Sequence, residues 1–171
     1  MLKRVLNLYR KQFWSFEKLA RFNGVYIGKN CKIQNVDFGS EPHLITIGNQ
    51  VRITNGRKIF THGGASILRE KHPTMDFFGK VVIKDNVYIG NNCLIMPGGT
   101  IGSNVLVAAG SVVAKSVPNG VVVGGNPAKV LGSITDFEQN MLEKNVASKG
   151  MNKAEKEKYL LSLPDSVFIK R

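Results

Sequence analysis

The sequence predicts an all-β repeat fold: short strands as the sides of a three-sided stacked coil, with an N-terminal helix, one extruded loop and C-terminal helices added. Three observations predict it. From Ile83 onward an aliphatic residue recurs every six positions, at Ile89, Ile95, Ile101, Val107 and Val113, a period that is neither that of a helix nor that of a plain strand. The same phase holds upstream at Ile47, Ile53 and Ile59, while Ile27 and Ile33 are offset by two. The position three beyond each aliphatic is dominated by Asn and Gly, at Asn30, Gly56, Asn86, Asn92, Gly98, Asn104 and Gly110, with Val36, Gln50, His62 and Ser116 completing the column. Asn and Gly enter the left-handed backbone region at little cost, and His is also enriched there.

Each hexapeptide is therefore one flat side and one corner. The residue four beyond the aliphatic shares the inward face, as at Cys31, Val51, Val87, Cys93, Gly99, Val105, Ser111 and Val117. Three sides close a coil, and stacked coils bury an Ile and Val column that no single coil could bury.

In chain order, residues 1–22 place Leu2, Leu6, Tyr9, Phe13, Phe16 and Ala20 at helical spacing among lysines and arginines, which predicts an amphipathic helix. It either caps the first coil or docks on a membrane surface. Residues 23–132 carry the coils. Within them residues 66–79, "SILREKHPTMDFFG", break the pattern without changing its phase, which predicts a loop extruded between two coils. Residues 133–171 predict a C-terminal helical appendage, with one helix from Thr135 to about Ala147 and a second from Lys153 to Leu163, ended by Pro164.

The formal charge of +12 sits mainly on residues 1–22 and on the coils, and is read as solubility or as attraction to a phosphorylated ligand or an anionic membrane. No nucleic-acid motif accompanies it. Cys31 and Cys93 both fall on the inward column, so buried free thiols in a reducing, cytoplasmic compartment are expected. No secretory signal or membrane-spanning run is read.

The string "IGNNCLIMPGGTIGSNVLVAAGSVVAKSVPNGVVVGGNPAKVL", with the coils that precede it, resembles the hexapeptide-repeat acyltransferases over about Val25 to Leu131. The resemblance implies a left-handed parallel β-helix, a sense that periodicity does not reveal and that runs against the right-handed rule for parallel crossovers. It also implies acetyl-CoA as co-substrate, no metal, a homotrimer with sites between subunits, and a sugar or glycan hydroxyl as acceptor in capsule, O-antigen or related assembly. Alternatives are amino-sugar N-acetylation, a non-catalytic assembly module, or a zinc enzyme like the gamma carbonic anhydrases.

His62 lies in the corner column at the last turn before the loop, a place both exposed and oriented by neighbours, as a general base requires. The string "ITNGRKIFTHGG" resembles the family's catalytic turn, which implies that His62 deprotonates the acceptor. Gly63 stands where close relatives would carry an acidic residue, so the group that orients the imidazole is Glu41 or Asp76, Glu41 being preferred. His43 and His72 fall in irregular segments. By likeness to the galactoside and maltose acetyltransferases, CoA would be met by Asn91, Ala109, Ala114 and Lys115, by Tyr88 in place of a tryptophan, and by Lys129 at the nucleotide phosphates.

Overall fold

The computed structural model describes residues 12–169. The described residues fall into two compact units, divided between Ile134 and Thr135. The first is a three-sided parallel β-helix. Its coils run β1 (Tyr26–Ile27), β2 (Lys32–Ile33), β3 (Val36–Asp37); β4 (Ile45–Ile47), β5 (Arg52–Ile53), β6 (Arg57–Ile59); β7 (Val81–Ile83), β8 (Val87–Ile89), β9 (Leu94–Ile95); and β10 (Thr100–Ile101), β11 (Val105–Val107), β12 (Val112–Val113). Strand β13 (Val121–Gly125) continues the stack, and β14 (Ala128–Ser133) folds back on it antiparallel. The first face stacks β1, β4, β7 and β10; the second stacks β2, β5, β8, β11 and β13; the third stacks β3, β6, β9 and β12.

The register explains the six-residue period. Ile47 pairs with Ile83, Ile53 with Ile89, and Ile59 with Ile95, so like positions of successive coils stand over one another and close a continuous buried column. Left-handed φ values occur at Asn30, Gln50, Gly56, Asn86, Asn92, Gly98, Asn104 and Gly110, corner residues drawn from all three edges of the stack. His62 and Ser116 share their column without adopting that conformation, and Asn35 takes it in place of Val36. At His62 the reason is the loop: the residue enters an antiparallel bridge to Phe78 instead of turning into the next side.

The insertions gather on the edge where the third face passes to the first, while the second-to-third edge of the first coil is one residue short, so that Val36 and not Asp37 pairs with Arg57. Twenty residues separate Ile27 from Ile47, two more than three hexapeptides, and the excess forms a 3₁₀ turn at Pro42–Leu44. Thirty-six separate Ile47 from Ile83, and the additional coil's worth of chain is the loop from Thr61 to Gly79, closed by the Gly79 N–H donating to the Thr61 carbonyl at 2.7 Å. Gly79 lies so close to the next coil that a Cβ would collide with the Gly98 backbone.

Two expectations need correcting. A continuous helix to residue 22 is not present: α1 spans Phe16–Phe22, and the chain breaks at Trp14–Ser15 because the Ser15 side chain caps the Lys18 N–H. Residues 1–11 of that predicted helix lie outside the described residues. Within α1, Ala20 joins the core and Arg21 donates to the Ile27 and Gly28 carbonyls, which fastens the helix to the first coil. Cys31 is the second correction. It is half-buried rather than buried, since it lies in the first coil, whereas Cys93 in the third is fully enclosed.

In the second unit, α2 (Ile134–Leu142) is shorter than predicted, and α3 (Lys153–Leu161) begins in a capping box made by Asn152 and Glu155. Among the described residues no helix is long and apolar enough to cross a membrane. Ile89→Ala, in the middle of the column, should destabilise the protein by about 2–5 kcal/mol, read as a lower denaturant midpoint.

Candidate active site

The extra chain on the third-to-first edge brings Glu41 alongside the second coil. Glu41 Oε2 lies 2.6 Å from His62 Nδ1 and accepts a hydrogen bond from the buried Thr61 hydroxyl at 3.0 Å. The His62 side chain is 40% exposed and that of Glu41 23%, so the imidazole faces solvent while its partner is tucked behind it. Phe78 returns from the loop to pack a tilted ring against the imidazole, with centroids 5.5 Å apart. Partial desolvation raises the Glu41 pKa, but hydrogen bonds from Thr61 and Ser40, with the charge and hydrogen bond of His62, outweigh it and hold the carboxyl below its ordinary value. Nδ1 is buried against the Glu41 carboxylate without a hydrogen bond of good geometry, which leaves Nε2 as the ring nitrogen for an acceptor.

Asp76 is placed elsewhere, 3.7 Å from Arg69 and accepting from the Phe77 N–H. His43 is exposed beside Gly24, and His72 is exposed in the loop. Among the described residues no three His, Cys, Asp or Glu side chains converge as a metal site.

The predicted CoA contacts divide between two edges. Ala114 and Lys115 share the third-to-first edge with His62, two coils further along: Val113 stacks on Ile95 and Ile95 on Ile59, so Lys115 stands above Thr61 by about 10 Å. Asn91 and Ala109 occupy the edge between the second and third faces, where the Gly110 N–H donates to the Asn91 carbonyl at 2.7 Å. Gly90, beside Asn91, must be glycine because a Cβ would strike the Ala109 backbone. Lys129 is exposed on β14 opposite Gly124. Tyr88 projects from the second face between Arg52 and Leu106, in a groove also lined by Gln50, Asn86 and Asn104. From the Arg57 corner to His62 the chain runs five residues, about 16 Å when extended, so the Asn91 edge and the His62 edge of one protomer do not meet.

Sequence reasoning missed Arg57. It occupies the inward position four beyond Ile53, yet its side chain is 1% exposed. Nε donates to the Gly90 carbonyl and Nη2 to Asn91 Oδ1, both at 2.9 Å, while Nη1 is buried without a partner. Burial lowers the Arg57 pKa against the opposing influence of Cys93 and Tyr88, and burial pushes the Cys93 thiol up. The available signal was the phase itself, which puts a charged residue in a column filled mainly by Val, Cys, Ser and Gly, with Asp37 as the other exception.

Residues 80–115 match the family profile described as "Bacterial transferase hexapeptide (six repeats)". The protein CapG of Staphylococcus aureus is 48% identical over 166 residues, covering 95% of each chain. The chain belongs to the hexapeptide-repeat acetyltransferase family. The family coil is a left-handed β-helix, and acyl transfer is the reaction class. A galactoside O-acetyltransferase of Lactococcus lactis is 30% identical, covering 66% of this chain and 64% of that one. The Vibrio cholerae acetyltransferase VCA0836, solved in complex with acetyl coenzyme A, is 36% identical with a TM-score of 0.59, covering 65% of this chain and 61% of that one. This chain thus spans about three-fifths of the length of the latter two proteins.

The lowered Glu41 pKa has a definite sign. Its stabilising contribution is complete above the unfolded carboxyl value of 4.5 and is lost as pH falls through the lower folded value. Glu41→Gln should therefore lose less stability than the wild type as pH is lowered from about 5 to about 3, measured by thermal unfolding at each pH.

Proposed function

We propose that this protein transfers the acetyl group of acetyl-CoA to a hydroxyl of a sugar or glycan, in capsule, O-antigen or related assembly, within a ternary complex and without a covalent enzyme intermediate. The observation that carries the reading is the His62 imidazole, exposed on one side and held 2.6 Å from a carboxylate on the other. His62 Nε2 takes the proton of the acceptor hydroxyl. The oxygen attacks the thioester carbonyl carbon, the C–S bond breaks, and the imidazolium returns its proton to the departing CoA thiolate. Glu41 is a positioning residue that fixes the ring and stabilises its charged form, as carboxylate partners do in His-based catalysis.

The donor is assigned to the edge of Asn91, Ala109 and Lys129. Backbone N–H groups there supply an oxyanion partner, and the lysine suits nucleotide phosphates. The acetyl-CoA complex of VCA0836 supports the donor, and the galactoside O-acetyltransferase supports a sugar hydroxyl as acceptor. Because the His62 and Asn91 edges of one protomer lie apart, the site is formed between protomers, the base coming from one and the donor edge from its neighbour; Ala114 and Lys115 flank the base from its own side. A trimer meets this need with three equal sites.

His62→Ala should lower turnover by about 10²–10⁴-fold while leaving CoA affinity near wild type; full activity in a thiol-release assay with sugar acceptors refutes the base. Light scattering should give a trimer, and a monomer refutes the shared site.

A further inference from the structure

The edge between the first and second faces shows what an unused corner does with its backbone. There the N–H two beyond the aliphatic is capped by a side-chain oxygen from the coil above in every coil but that of Asp85: Lys29 donates to Asn49 Oδ1 at 2.9 Å, Asn49 to Asp85 Oδ1 at 2.6 Å, and Ser103 to Asn119 Oδ1 at 2.8 Å. The edge between the second and third faces has the same column in Asn55, Asn91 and Ala109. Among the described residues none of these three N–H groups donates a hydrogen bond. Two residues cause the difference. Ala109 has no oxygen with which to cap Asn91. Asn91 has one, but Arg57 Nη2 holds it at 2.9 Å, so Asn55 stays uncapped.

We propose that Arg57 is a positioning residue for the donor: by holding the Asn91 carboxamide oxygen, it keeps a ladder of edge amides open to the carbonyl and amide oxygens of a pantetheine thioester arm. The inference rests on the donor reading above. The ladder has the coil spacing of roughly 4.8 Å, and the guanidinium behind it adds a fixed positive charge, since among the described residues no carboxylate pairs with Arg57. Filling the position with carbon is what the coils do at Val51, Val87 and Val105. A buried unpaired cation is a poor means of stabilising a core, and the groups it holds, the Gly90 carbonyl and the Asn91 side chain, both belong to the proposed donor edge.

The test is calorimetric titration of CoA into the full-length wild type, Arg57→Met, and Arg57→Met combined with Asn91→Ala. Arg57→Met should weaken CoA binding by roughly tenfold or more, the scale of one lost hydrogen bond to a polar ligand, with no fall in thermal midpoint. Removing the freed carboxamide in the double variant should recover part of that loss, which a merely structural role for Arg57 would not produce. Equal binding by wild type and Arg57→Met overturns the proposal, as does absence of recovery. Should Arg57→Met not fold, Arg57→Lys carries the test: it keeps the charge and loses the second prong, so weakened binding supports the proposal and wild-type binding overturns it. A wild type that does not bind CoA overturns the donor reading and this inference together, whereas a binding wild type with unaffected variants overturns this inference alone.

Discussion

The stacking of like upon like governs this molecule. Each coil buries its Ile and Val only because the coil above presents the same positions in register, Ile53 under Ile89 and Ile59 under Ile95. No coil has a core of its own, so stability is a sum over neighbouring interfaces. The same register aligns everything else. Corner residues form ladders, and a substitution at one corner is felt by the coils on either side. Asn49, which caps Lys29 while donating to Asp85, shows the coupling directly.

Against so strict a repeat, irregularities are informative, and all the large ones fall on one edge. A repeat tolerates inserted chain only where it leaves the stack and re-enters in phase, and the turn between coils meets that condition. The extra residues before Leu44 and the loop after Thr61 therefore lie side by side, one supplying Glu41 and the other His62 and Phe78. Neither insertion alone would hold an imidazole. Together they give it a carboxylate behind, an aromatic wall beside it and an open front.

The second irregularity hides in the core. Arg57 keeps the phase of the repeat and breaks its chemistry, which costs an unpartnered Nη1 and several kcal/mol of desolvation in the general case. Its two hydrogen bonds go to Gly90 and Asn91, neighbours in the next coil and not in the chain. The charge is thus spent on the geometry of one edge. That edge differs from the neighbouring one, where side chains seal the amides of Lys29, Asn49 and Ser103, in being lined by Ala109 and by an Asn91 whose oxygen is already taken.

Periodicity alone determined the three-sided stack, its inward columns and the place of the loop, because each is a statement about local backbone and apolar phase. It also marked His62 as a candidate, since the last regular corner before an insertion is a local feature. Handedness came only through family likeness, and the tertiary structure decided the rest. Glu41 lies twenty residues from Thr61 and meets it because the pairing of Val36 with Arg57 sets the end of the first coil against the end of the second. The conformation of His62 escaped the corner rule because the loop pairs it with Phe78, and Arg57 escaped notice because its partners are thirty-three and thirty-four residues away. A repeat writes what every coil shares into the sequence, while contacts between coils depend on register, and register becomes definite only when the coils are stacked.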